Sequence, residues 1–227
     1  MKIRIAKFLS DSGVASRRAA EKMIENGRVS INGNIINSPV NFVSDSDIVT
    51  VDGKQVSDKS ETELYAFYKP INTMTTTHDP LGRKTIYDVL PERYQNLKYI
   101  GRLDYKTTGL LLMTNDGDLA RRLTLPSSKI PRVYIAHVGG TTLNLDKARQ
   151  GMTVDGIKYA PMKIDEIEPG VLRIEITEGK KNEIRIVMRA CGCPVRQLHR
   201  VSYGKIELGN LKIGQIKKIN QKVIDLI

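Results

Sequence analysis

Apolar and polar positions follow two rhythms along this chain, a helical spacing near the start and short strand-like runs through most of the rest. Ile5, Phe8 and Leu9 form a brief helical stripe. Ser16 is placed to cap a second helix whose apolar side carries Ala19, Ala20, Met23 and Ile24, with Gly27 ending it. Strand-like segments follow at Arg28 to Ile31, Ile35-Ile36 and Ile48 to Val51, punctuated by the turn signals Asn32-Gly33 and Asp52-Gly53. The stretch Ser57 to Thr62 has no apolar residue and reads as a linker. Beyond it, strands are expected at Tyr65 to Tyr68, Ile71 to Thr75, Leu97 to Ile100, Val133 to Val138 and Leu172 to Ile176. Helices are expected at Asp118 to Leu123, Leu145 to Gln150 and Asn182 to Ala190. Short strands without regular crossover helices predict an α+β fold rather than a doubly wound sheet.

Within the second region, GRLDYKTTGLLLMTNDG (residues 101–117) sets one carboxylate, Asp104, on a turn bracketed by Gly101 and Gly109. A strand precedes it, and the apolar run Leu110 to Thr114 follows, closed by Asn115-Asp116-Gly117. Rigid flanks can aim an acid. Aspartate is also a common turn former, so the spacing leaves a nucleophile and an ordinary solvated turn residue both open, the second being the commoner.

Charge narrows the partners. Lysine and arginine number 36 against 25 acidic residues, a formal charge of +11, which favours a polyanion. Tryptophan is absent and aromatics are sparse, which argues against an extended stacking platform for single strands. Residues 177–205 hold seven basic side chains, Lys180, Lys181 and Arg185 among them, against two acidic ones. Arg17 and Arg18 fall in the first turn of the second predicted helix, where the macrodipole disfavours cations by roughly 0.3–1 kcal/mol each. A phosphate at that helix end would offset the placement, and so would side chains turned to solvent.

Other chemistry loses support. The chain has no G-x-x-x-x-G-K-[ST] loop, no G-x-G-x-x-G fingerprint and no zinc-ligand spacing. Cys191 and Cys193 are poorly spaced for a mutual disulfide and too few for a zinc site, so no metal is assigned. His78, His137 and His199 are scattered and read as structural or solvated. No run is long enough to span a bilayer and the first residues lack a signal-peptide pattern, so a cytoplasmic protein with no membrane partner is expected. What remains is chemistry an aspartate performs without a cofactor.

These residues resemble a known family, the pseudouridine synthases, and within it the RsuA/RluB ribosomal RNA group. GRLDYKTTGLLLMTNDG resembles the group's signature. SRRAAEKMIENGRVSINGNII resembles the small RNA-binding domain named after ribosomal small-subunit protein S4, and YKPINTMTTTHDPLGRKTIYDVLP, RVYIAHV and TEGKKNEIRIVM follow in the family's order. The resemblance implies an S4-like module over residues 1–58. It implies a catalytic domain over residues 63–227, built on a mixed, mainly antiparallel sheet with a central cleft.

The resemblance further implies that Asp104 is the nucleophile, acting on a uridine already within RNA. The glycosidic bond breaks by attack on the sugar or through a glycal, and the detached uracil rejoins through carbon five with no metal or organic cofactor. Free aspartates ionise near pH 4, and burial alone would raise that value. A partner cation is therefore expected, and the family pattern assigns it to Arg185. Tyr134 is implied to stack on the base and to take the proton from carbon five. Arg102 is implied to fill the place the flipped uridine leaves, and Leu112 or a neighbour in Leu110 to Leu112 to form an apolar floor. Arg17, Arg18, Lys180 and Lys181 are expected to contact RNA, with the loop Thr75 to Arg83 approaching it. Two positions depart from the pattern: Glu183, where glutamine is frequent, and Ile186, where many members carry a second basic residue.

The expected function is isomerisation of one uridine in ribosomal RNA by a monomeric enzyme. The SRR helix, GRVSING and DPLGRKTIYDVLP look more like the large-subunit enzymes of the group, a resemblance that implies large-subunit RNA, with small-subunit RNA as the alternative. A ribosome-assembly protein that binds structured RNA without chemistry is the competing reading, and Asp104→Asn separates the two.

Overall fold

A computed structural model describes residues 2–56, 61–140 and 144–221, so Ser57–Ser60 of the expected linker lie outside the described residues. The chain divides into two units, Met1–Thr62 with Asn115–Gly117 and Glu63–Thr114 with Asp118–Ile227.

In the first unit, β1 (Ile3–Arg4) runs straight into α1 (Ile5–Asp11), followed by α2 (Arg17–Glu25), β2 (Val29–Ile31), β3 (Asn34–Ile36), β4 (Phe42–Val43), β5 (Val49–Val51) and β6 (Lys54–Gln55). Four strands pair antiparallel in the order β3-β2-β5-β6, and β1 pairs with β4. The helical stripes meet the sheet's apolar residues in one cluster containing Ile5, Leu9, Ala20, Ile24, Val29 and Val49. Each isoleucine, leucine or valine side chain there contributes roughly 1.5–3 kcal/mol on burial. The expected cap forms, with Ser16 Oγ accepting from Ala19 N at 3.3 Å. Asn32-Gly33 and Asp52-Gly53 all have positive φ, the conformation that two-residue hairpin turns require.

The second unit contains β7 (Leu64–Lys69), β8 (Lys98–Ile100), β9 (Thr107–Thr114), α3 (Gly117–Thr124), β10 (Arg132–Val138) and α4 (Asp146–Gln150). After these come β11 (Met152–Val154), β12 (Ile157–Tyr159), β13 (Lys163–Glu168), β14 (Val171–Ile176), α5 (Glu183–Ala190), β15 (Val195–Tyr203), β16 (Ile206–Glu207) and β17 (Ile216–Lys218). The main sheet runs β13-β14-β10-β15-β9-β7-β17, with β16 on β15 and β8 on β9. Among the described strands of this sheet, β15 and β9 pair in parallel and the other pairs are antiparallel. The fold is therefore α+β on a mixed, mainly antiparallel sheet.

β9 explains the unbroken apolar run of the motif. Leu111 and Met113 join one core cluster while Leu110 and Leu112 join another, so both faces of the strand are covered and no position calls for a polar residue. Gly109 has its own cause. It sits at φ +105° where β9 meets β15, and a Cβ there would stand 2.2 Å from Arg200 O.

One expected strand is missing. Ile71 to Thr75 makes only a single isolated bridge, Met74 with Thr85. Pro70 cannot donate to a ladder, and Asn72 turns into the left-handed region at φ 56°, so the chain leaves the sheet there. Cys191 and Cys193 are free and buried. Among the described residues, no helix is long and apolar enough to cross a membrane.

Candidate active site

Asp104 lies on the loop between β8 and β9, and the carbonyls of that loop are held one after another. Thr75 Oγ1 donates to Leu103 O at 2.8 Å. Lys69 Nζ donates to Asp104 O at 3.3 Å, to Thr107 O at 2.9 Å and to Pro70 O at 3.0 Å. Asn72 N donates to Tyr105 O at 2.9 Å, and Thr107 N to Asp104 O at 2.9 Å. Arg185 Nη2 donates to Lys106 O at 3.0 Å while its Nη1 holds Val195 O at 3.1 Å. Five successive carbonyls, from Leu103 to Thr107, are thus occupied, and the backbone that carries Asp104 has little freedom.

The carboxylate itself stays available. It is half-buried and accepts no hydrogen bond among the described residues. The expected ion pair with Arg185 is not closed: the guanidinium is oriented to main-chain carbonyls instead, Lys106 O and Val195 O, through one N–H of each terminal nitrogen. Arg185 acts on the loop backbone and attracts Asp104 at longer range. Its pKa is lowered by burial, with the Asp104 charge opposing that shift. Its Nε is buried without a partner.

Lys69 was not singled out by sequence reasoning, although a lysine closing an apolar strand before a proline was the available signal. It is fully buried. Burial pulls its ammonium down to about 8, the Asp104 charge acts in the opposite direction, and Arg200 lowers it further. Thr75, expected at the end of a strand and the start of an RNA-approaching loop, instead holds Leu103 O, a role its sequence context does not signal.

Asp104 lines a cleft of ≈ 240 Å³, just under the roughly 300–1,000 Å³ usual for small-ligand sites and suited to one base. Tyr134 on β10 is 7% exposed, and its hydroxyl makes no hydrogen bond among the described residues. Arg102, Lys180 and Lys181 are exposed and line the same cleft. Its apolar lining comes from Leu103, Ile176, Ile184 and Leu198. Leu110 to Leu112 are not part of it: they are central-strand residues buried in the two cores. Arg17 and Arg18 are exposed in the first turn of α2, in the other unit. The loop Thr75 to Arg83 is stapled internally, with Arg83 Nη2 on Asp79 Oδ1 at 2.8 Å and Arg83 N on Asp79 Oδ2 at 3.0 Å. That pairing holds Asp79 down at about 2.

The departure at Glu183 has a physical resolution. This carboxyl opens α5 at 3% exposure, its Oε2 accepts from Lys180 N at 2.9 Å, and its Oε1 is buried without a partner. Burial first, and the neighbouring Glu178 carboxyl second, push it up to about 8. A neutral acid at this position offers one acceptor and one donor, much as a glutamine amide does. Ile186 packs against the main core cluster.

The cleft thus sets one unbonded carboxylate among the exposed basic side chains Arg102, Lys180 and Lys181. Comparison with known proteins makes the class specific: the RNA pseudouridylate synthase model matches residues 63–190, and the chain belongs to that family. An S4 domain model matches residues 3–49. The chain is 39% identical to an uncharacterized RNA pseudouridine synthase of Rickettsia conorii, over 98% of each protein. It is 33% identical to the ribosomal large subunit pseudouridine synthase B of Bacillus subtilis, covering 95% of this chain and 91% of that one. A solved pseudouridylate synthase superimposes with a TM-score of 0.71 at 25% identity, covering 98% of both chains.

Proposed function

We propose that this protein converts one uridine of large-subunit (23S) ribosomal RNA to pseudouridine, with Asp104 as the nucleophile. The observation that carries the reading is the loop of five occupied carbonyls, which fixes Asp104 in a base-sized cleft while leaving its carboxylate unbonded. Fixed geometry of this kind removes much of the orientational cost of attack. Tyr134 stacks on the uracil, and its unbonded hydroxyl takes the proton from carbon five after the base has turned and rejoined the sugar. Lys69 and Arg185 position the loop, and their bonds to carbonyls leave the carboxylate free to react.

Arg102, Lys180 and Lys181 meet the RNA around the cleft, with Arg102 filling the place of the flipped nucleotide. The module over residues 1–58 binds the same RNA through Arg17 and Arg18 beside the N-terminus of α2, and residues 63–227 carry the chemistry. The enzyme works as a cytoplasmic monomer without metal or cofactor. The large-subunit assignment is supported by the name of the Bacillus subtilis relative. Pseudouridine maps of ribosomal RNA from cells with and without the gene test the proposal. One missing 23S position is expected in the deletion; a missing 16S position would move the substrate to the small subunit, and an unchanged map would refute the reading.

A further inference from the structure

A second cleft, ≈ 360 Å³, adjoins the first, and Gly101, Arg102, Tyr134, Gly179 and Lys180 line both. Residues that belong to the second alone include Arg132, Arg200, Thr124 and Tyr203. Arg132 pairs with Tyr203, and Tyr134 with Arg200, across β10 and β15. Both guanidiniums lie over the Tyr203 ring, at 5.1 and 5.2 Å.

Arg200 is the unusual residue. It is 1% exposed, its Nε donates to Leu110 O at 2.7 Å, and its Nη2 is buried with no partner among the described residues. Arg132 donates to Glu178 O at 3.0 Å and reaches Tyr203 Oη at 3.5 Å. Gly179 leaves it room, since a Cβ there would stand 2.9 Å from Arg132 Nη1.

Neither Arg132, Arg200 nor Arg102 pairs with an acid among the described residues. Glu178, the one carboxylate among the described residues lining this cleft, is already engaged by Lys180 Nζ and by Ala160 N. A buried guanidinium with a spare donor and no counter-charge is costly unless an anion meets it. Its planar fork fits the oxygens of a phosphate.

We propose that this second cleft is a phosphate subsite, in which Arg132 and Arg200 grip the phosphodiester next to the uridine seated in the first cleft. The proposal rests on the reading of the first cleft as the uridine site and adds a backbone contact to it. Because the clefts share Tyr134, a base and its neighbouring phosphate occupy them together, and the gripped phosphate keeps the flipped nucleotide from returning to its stack.

Two probes test it on the full chain. Inorganic phosphate is titrated at constant ionic strength while the arginine Nε–Hε signals are followed by NMR. Saturable shifts at Arg132 and Arg200, several-fold larger than those at exposed Arg17 and Arg18, are expected. Uniform, non-saturating shifts across all arginines would overturn the proposal.

The second probe is 23S ribosomal RNA transcribed in vitro. Half-buried Arg132 is the residue to change, because removing Arg200 would also lose its bond to β9. Arg132→Gln should lower the slope of log K against log salt by about 1. Arg132→Lys should restore the slope but not the full rate of pseudouridine formation. An unchanged slope in Arg132→Gln would overturn the subsite while pseudouridine formation still supports the isomerase. Phosphate-dependent shifts without any pseudouridine product would leave the subsite standing and sink the isomerase.

Discussion

Glu183 gives the sharpest test of how burial has tuned this site. The folded chain holds its carboxyl proton to about pH 8, while the unfolded chain releases it near the ordinary glutamate value of 4.5. The folded state therefore binds more protons throughout that window, so stability falls as pH rises from 4.5 to 8 and levels off above it. One proton sets the slope, at most about 1.4 kcal/mol per pH unit. Glu183→Gln removes this dependence, and its amide oxygen still accepts from Lys180 N. Between pH 5.5 and 7.5 the variant should gain up to about 3 kcal/mol on the parent, or about 5–10 °C in Tm for a chain of this size. Thermal melts of the two proteins at pH 5.5, 6.5 and 7.5, at one ionic strength, measure it directly. Parallel curves of Tm against pH would show that the carboxyl is ionised in the folded state and would refute the reasoning.

Other substitutions probe the loop that carries Asp104. Lys69→Met fills the same space but strips the hydrogen bonds from Thr107 O and Pro70 O, so stability should drop by about 1–3 kcal/mol. The loosened loop should lower kcat by about 10²-fold; denaturant melts and single-turnover rates on RNA check the two effects, and an unchanged rate would show that Lys69 does not position the loop. Gly109→Ala forces a Cβ to within 2.2 Å of Arg200 O at φ +105°, so destabilisation of about 3 kcal/mol or more is expected. Gly33→Ala, where no atom lies within 4 Å, is the control and should cost only about 1 kcal/mol, as read by urea unfolding.

The sequence was most legible where one local rule decided the outcome. Ser16 caps α2, Asn32-Gly33 and Asp52-Gly53 turn their hairpins, and the apolar run after Gly109 is a strand covered on both faces. Ile71 to Thr75 misled because its apolar and threonine content mimics a strand, whereas Pro70 and the left-handed Asn72 decide the backbone. β15, Val195–Tyr203, was hidden by its charges: VRQLHRVSY reads as surface, yet it pairs centrally between β10 and β9 and buries Arg200.

The site divided the same way. Asp104, Tyr134, Arg102, Lys180 and Lys181 do share one cleft. The expected contact between Asp104 and Arg185 is not made because the guanidinium is oriented to two main-chain carbonyls, and no side-chain pattern records where carbonyls point. Lys69 and Thr75 escaped for that reason too. The raised pKa of Glu183 follows first from its burial, which spacing along the chain does not reveal.

The central claim is that Asp104 performs the chemistry, and the most direct measurement is pseudouridine formed in 23S ribosomal RNA transcript by the purified protein and by Asp104→Asn, counted by mass spectrometry. The account predicts one pseudouridine per transcript from the parent and none from the variant, with RNA binding retained by both. Pseudouridine made by Asp104→Asn at the parent's rate would contradict it.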